Sequence, residues 1–490
     1  MKSLLPALLL IAALPLAASE RGDIDRFVAT TLRAFPEVPG VAVAVVKDGK
    51  PFFASGYGFA DVASKRAMTG TTPVYIASST KSFTGLMCAM LAQQGKLDLD
   101  KPIVAYLPEL ESWSDSKRVT MRMLLTHSAG IRNDAITIRT AYTGEHTPEQ
   151  LVRLLGSSKS IEPKFRYDNL GYVVSALIAE RVTGKKWQDL LQEMIFAPLG
   201  MKDTTAYMSR VRGLATPYSI SIGHGSGITA IANLKSDATM HAAGGVVTTA
   251  SDLQQWLAAN LSEPSAAYRE VHKRQVTVPD VNWYKFRRYA YGFGWYWSDY
   301  DGKLLMHHFG GFEGWYSHVS YMPALHAGVV VIANSSAPGT SDVSDMIATY
   351  IYDRLAGRSD IEPVYAERIA ETRKASDARW TRIAADVESR SKRPPSLTRD
   401  PAAYTGDYTN EQLGTMSITN DGGVFHAKLG LLASVLEPFT NPDSARVELI
   451  PGGGQKLQFQ FTDAPRATAI DWSDYVFTRV TTGGTPGGLP

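Results

Sequence analysis

The stretch Ser78-Ser79-Thr80-Lys81-Ser82-Phe83-Thr84-Gly85-Leu86-Met87-Cys88-Ala89-Met90-Leu91 decides how this chain is read. A serine hydroxyl is a poor nucleophile until a neighbouring base removes its proton, and a lysine three residues later on a helix lies one turn away on the same face. Ser78 and Lys81 have that spacing, but so do Ser114 with Lys117 and Ser389 with Lys392. Only the first pair opens a strongly apolar helix (Phe83, Leu86, Met87, Met90, Leu91), so only there does the serine sit at a buried helix N-terminus whose backbone N–H groups can bind an oxyanion. Taken alone, the same residues also read as an N-cap serine followed by a surface lysine. The rest of the chain decides between the two.

Two further patterns follow. Tyr167-Asp168-Asn169 stands just before a helical run from Tyr172 to Val182. A tyrosine beside an ammonium has its phenolate favoured, so it can take the serine proton and return one to a leaving group, and an asparagine amide can orient both lysine and substrate. The same pattern occurs at Tyr408-Thr409-Asn410. His308-Phe309-Gly310 lies on a strand after the Asp301-Gly302 turn, and His326-Ala327-Gly328 repeats it elsewhere. The first triplet is distinguished by Gly310 and Gly311, which let a substrate backbone approach closely and offer the Gly311 N–H as a second oxyanion donor.

Outward from these motifs, Ile24 to Ala34 reads as an amphipathic helix, and Gly40 to Val46 with Phe52 to Tyr57 as a hairpin turning at Asp48-Gly49. Tyr291 to Ser298, Leu304 to Phe309, Trp315 to Met322 and Val329 to Ala333 read as a late antiparallel meander, followed by a helix from Met346 to Leu355. The segments between are mostly helical. The expected architecture is α+β: an antiparallel sheet built from both ends of residues 20–390, flanked by helices and enclosing a large helical insert. A linker spans 391–400, a small antiparallel barrel 401–481 and a disordered tail 482–490.

Three motifs in this order on a sheet, helical insert and sheet resemble the beta-lactamase-like, penicillin-recognising serine hydrolases, which include class C beta-lactamases, DD-peptidases, D-aminopeptidases and family VIII esterases. Leu124 to Ile131, Gly244 to Leu253 and Tyr291-Gly292-Phe293-Gly294-Trp295 are similar to words of that superfamily. The likeness covers about Arg21 to Leu355. It implies an acylated Ser78, a base role shared by Lys81 and Tyr167, a positioning Asn169, His308 in place of a lysine, and an oxyanion hole from the N–H groups of Ser78 and Gly311, with Gly310 and Gly311 binding substrate. A mostly neutral imidazole holds a substrate carboxylate less well than that lysine, which makes antibiotic hydrolysis an unexpected main activity. Ile161-Glu162 replaces a Pro-Gly pair often seen before the second motif. The C-terminal module resembles the lipocalin-like barrels of some peptidases of this superfamily.

Composition narrows the rest. Among 490 residues the net charge of +2 gives no electrostatic case for nucleic acid, and the single Cys88 excludes an internal disulfide. Met1 to Ser3 followed by an apolar run from Leu4 to Ala18 reads as a signal peptide (1–19) cleaved near Ser19, hence a secreted or periplasmic protein without stable membrane insertion; the alternative is an uncleaved anchor, for which the run is short. His224, His241, His307 and His318 lack metal-ligand spacing, so no metal and no cofactor is expected. His127 reads as structural because no acidic residue stands beside it, and Cys88 as a small core residue. Trp295, Phe312, Trp315 and Tyr316 read equally as an acyl pocket or as core. The expected function is hydrolysis of amide bonds in small peptides through a Ser78 acyl-enzyme, with D-residues fitting the aminopeptidase likeness. The alternatives are a carboxylesterase on short-chain esters and, in another class, a non-catalytic penicillin-binding or sensor protein.

Overall fold

The computed structural model describes residues 13–220 and 227–480. Most of the signal-peptide segment, His224 and the 482–490 tail lie outside the described residues.

Hydrophobic alternation builds the main sheet. In β1 (Gly40–Lys47), Val41, Val43 and Val45 face one buried cluster, and Ala42, Ala44 and Val46 face another. β2 (Lys50–Asp61) completes the hairpin. After the insert come β3 (Val276–Trp283), β4 (Phe286–Tyr291), β5 (Tyr296–Tyr300), β6 (Lys303–Phe312), β7 (Trp315–Met322) and β8 (Ala327–Ala333). The strand order is β3-β4-β5-β6-β7-β8-β1-β2, with the short Arg66–Ala67 segment at the edge. The two chain ends meet where Val41 pairs with Ala333.

One expected strand is two. Tyr291 to Ser298 breaks at residues 292–295, because Gly294 takes φ +80° where a Cβ would lie 2.5 Å from the backbone of Ser82. The kink lets the helix carrying Lys81 pack against the sheet.

Helices cover both faces. α1 (Ala13–Ala34) runs further toward the N-terminus than the Ile24 start read from the sequence, and it packs Phe27 on Tyr350 with ring centroids 3.8 Å apart. In the insert lie α2 (Thr80–Gln93), α3 (Leu170–Thr183) and α4 (Ala250–Ser262), whose Phe83 and Trp256 stack at 4.0 Å. α5 (Thr340–Leu355) covers the opposite face, and α6 (Glu362–Ser391) leads to the second module. No described helix is long and apolar enough to cross a membrane.

The C-terminal module is a nine-stranded antiparallel sheet from Gly406–Asn410 to Tyr475–Arg479. Its two terminal strands, Leu432–Val435 and Glu437–Pro438, are adjacent in sequence, which makes it a nearly closed barrel. Buried Tyr408, Met416, Leu429, Leu457 and Trp472 fill its interior. The barrel is seated on the insert: the Leu431 N–H donates to the Thr143 carbonyl (3.2 Å), and Arg139 Nε donates to the Gln412 carbonyl (2.6 Å).

Candidate active site

Ser78 stands in a single 3₁₀ turn, Ala77–Ser79, ahead of α2. The turn is held in an uncommon geometry: Ala77 has φ +44°, a left-handed conformation costly for a residue with a Cβ. Its position is fixed from the sheet side. The Ser317 hydroxyl on β7 donates to the Ile76 carbonyl (2.9 Å) and accepts from Ser79 (2.8 Å). Gly310 on β6 lies so close that a Cβ there would fall 2.0 Å from the Ile76 carbonyl oxygen. Only glycine permits this approach.

Lys81 is completely buried, and its Nζ donates to Ser78 Oγ (3.1 Å), to Asn169 Oδ1 (2.8 Å) and to the Ala243 carbonyl (2.9 Å). Burial penalises its ammonium and pulls its pKa down to about 7, against a smaller opposing pull from Asp168. Burial thus favours the uncharged amine of Lys81. The Tyr167 ring lies 4.8 Å from Nζ.

Tyr167 is enclosed beside the nucleophile. Its hydroxyl is buried and, among the described residues, has no polar partner apart from Ser78. Burial pushes its pKa well above 10, the Tyr296 ring site adds to the rise, and the Ser78 hydroxyl only partly offsets it. Desolvation of the phenolate thus acts in the opposite direction to the fall that a neighbouring ammonium would bring.

His308 is 1% exposed, and burial together with the Lys81 charge pushes its pKa well below the ordinary histidine value. Its hydrogen bonds fix its tautomer. Nδ1–H donates to the Phe309 carbonyl (2.6 Å), so Nε2 accepts from the Tyr291 hydroxyl (3.1 Å). The Tyr291 oxygen in turn accepts from His127 Nε2–H (3.3 Å), whose Nδ1 accepts the Asp168 N–H (3.3 Å). This chain of bonds joins the second and third motifs behind the nucleophile. It also corrects the reading of His127: an acidic group is beside it, since Asp168 Oδ1 lies 3.9 Å from Nδ1, and the His127 ring is 4.6 Å from that of Tyr167. The sequence words containing His127 and Tyr291 do not reveal the contact between them, because it spans 164 residues.

β6 forms one wall. β5 pairs with it only from Lys303 to His307, so His308 to Phe312 present a free strand edge toward Ser78. Gly311 is exposed with open space where a side chain would stand. Of the aromatics read as pocket or core, Trp295 is core, whereas Phe312, Trp315 and Tyr316 line one cavity, with Phe312 beside Tyr75 at 5.6 Å. Lys235, which the sequence did not single out, is 5% exposed with Nζ 3.9 Å from the Phe312 centroid, and burial lowers its pKa to about 7. Cys88 is buried in α2 with its thiol pushed up to about 12. Among the described residues, no group of three or more His, Cys, Asp or Glu side chains is placed to hold a metal.

Comparison with known proteins finds relatives of this chain and of its fold. The "Protein flp" of Staphylococcus aureus strain MW2 is 26% identical over 326 residues, 64% of this chain, and the chain spans 63% of that relative's length. The unguisins hydrolase ungD of Aspergillus violaceofuscus is 24% identical over 519 residues, 94% of this chain and 89% of its own. The solved D-amino acid amidase of Ochrobactrum anthropi SV3, in complex with L-phenylalanine amide, is similar with a TM-score of 0.57 and 26% identity, covering 72% of this chain and 99% of that one. The family model described as Beta-lactamase matches residues 28–351. The chain therefore belongs to the Beta-lactamase family.

Proposed function

We propose that this protein is a secreted hydrolase of amide bonds in small peptides or amino acid amides, acting through an acyl-enzyme on Ser78. The observation that carries the reading is the fully buried Lys81 donating to Ser78 Oγ at 3.1 Å, with burial drawing its pKa down to about 7. In its amine form Lys81 takes the Ser78 proton as Oγ attacks the carbonyl carbon. The N–H groups of Ser78 and Gly311 receive the oxyanion, and the Tyr167 O–H delivers a proton to the departing nitrogen while Lys81 returns one to Tyr167. Water then attacks the acyl-enzyme by the same route reversed. Asn169 holds Lys81 through its oxygen, which leaves its amide N–H groups for substrate. A neutral His308 supplies orientation through Tyr291 rather than a positive charge.

Amide rather than ester as the physiological bond is favoured by the amidase and hydrolase relatives and by Tyr167, whose protonated state suits an amine leaving group. Secretion rests on the apolar N-terminal run. The test is intact-mass analysis of wild type and Ser78→Ala after fluorophosphonate exposure, followed by turnover of matched p-nitrophenyl esters and D- and L-aminoacyl p-nitroanilides. Labelling of wild type alone together with anilide cleavage is the expected result. Ester cleavage alone would replace the amide reading with an esterase, and no labelling would remove the acyl-enzyme.

A further inference from the structure

We propose that Glu313 is a specificity-determining residue that binds the free α-ammonium of the substrate's acyl residue. The inference rests on the proposed function for the direction in which substrate lies. Tyr167 has to reach the leaving nitrogen, so the leaving group occupies the His308–Phe309 end of the free β6 edge. The acyl residue then lies toward the other end, at Gly311, Phe312 and Glu313. Glu313 stands in the turn that directly follows β6, two residues beyond Gly311, and both residues line one cavity.

That end holds a cavity of about 370 Å³ between Gly311, Phe312, Glu313, Tyr142 and the barrel turn Pro451–Gly452. Among the described residues, Glu313 is the only charged residue in its lining. The carboxylate is held in place: Ser219 donates to Oε1, Ser336 Oγ lies 3.3 Å from the same oxygen, and Oε2 sits 2.7 Å from where a Cβ on Gly452 would stand. Among the described residues, these partners are hydroxyls and no Lys or Arg pairs with it. The nearby Lys235 is engaged elsewhere, donating to the Ala141 carbonyl (2.7 Å) across the Phe312 ring. A half-buried carboxylate fixed by hydroxyls and lacking a counter-ion is a receptor for a cation. In an amide or peptide substrate, the cation next to the acyl carbonyl is the α-ammonium. The barrel turn forms part of the same wall, so the second module shares in shaping this subsite.

The experiment compares kcat/KM at pH 7 for free-amine and N-acetylated forms of the same aminoacyl p-nitroanilide and of the same aminoacyl methyl ester. Wild type, Glu313→Gln and Glu313→Asp are measured in the full-length protein. Wild type should prefer the free amine by about tenfold or more, the scale of a charge-assisted hydrogen bond. That ratio should fall toward one in Glu313→Gln and survive in part in Glu313→Asp. A wild type indifferent to acetylation, or a Glu313→Gln variant that keeps the ratio, overturns the proposal. Should Glu313→Gln not fold, the wild-type ratio and Glu313→Asp decide. The ester pair separates the two ideas: failure to cleave anilides defeats the amide reading while Glu313 is still judged on esters. Turnover of neither pair overturns both.

Discussion

Two lysines are buried at opposite ends of the β6 edge, and burial draws each down to about 7. Their surroundings differ. Lys81 points at two side-chain oxygens, Ser78 Oγ and Asn169 Oδ1, as well as one carbonyl, whereas Lys235 points at the Ala141 carbonyl and at the face of Phe312. A lowered pKa gives both a free electron pair near neutrality, yet only Lys81 has a hydroxyl to deprotonate. The shift marks a group worth inspecting, and its hydrogen-bond partner decides what the group can do.

The comparison breaks most severely at Ser78 and Lys81. Ser78→Ala should reduce kcat by roughly 10⁶-fold and Lys81→Met by about 10³-fold or more, measured on anilides with burst-phase controls. Tyr167→Phe should cost about 10²-fold on anilides and clearly less on p-nitrophenyl esters, whose leaving group needs no proton. Equal losses on both substrates would contradict its role as proton donor. His308→Gln should cost about tenfold or less and leave the pH profile in place, because a neutral imidazole contributes no charge to lose. A displaced profile would show that His308 titrates.

Lys235→Met carries the smallest expected effect on rate, within about threefold. Its stability effect has a definite sign. A lysine whose folded pKa is about 7 against an ordinary 10.5 binds its proton more weakly in the native state. Native stability is therefore lost as pH falls from about 10.5 to about 7, and the penalty is full below that. Lys235→Met removes this penalty, so its melting temperature relative to wild type should be highest near pH 7 and the gap should close as pH approaches 10.5. A gap independent of pH would show that Lys235 keeps its ordinary pKa in the fold.

Much of this was legible in the chain. The strand-sized apolar runs Val41 to Val46 and Val329 to Ala333 mark buried strands, and the apolar run after Lys81 separates one Ser-x-x-Lys pattern from two others. The rest depends on burial and on distant neighbours. The protonation state of Tyr167 follows from how deeply its hydroxyl is enclosed, which a neighbouring-charge argument cannot supply. The His127–Tyr291–His308 relay needs three segments brought together, and the break at Gly294 is imposed by Ser82 on another element. Likewise, nothing near Pro451 in the sequence points toward Gly311, although both bound one cavity.

The most direct test of the central claim is the rate of Ser78 labelling by a fluorophosphonate as a function of pH, followed by intact mass so that no titrating substrate intervenes. Base catalysis by a buried neutral Lys81 predicts a rate that rises through a midpoint near pH 7 and then stays level up to at least pH 9. A rate still climbing toward pH 10, or one that is flat with pH, would contradict it.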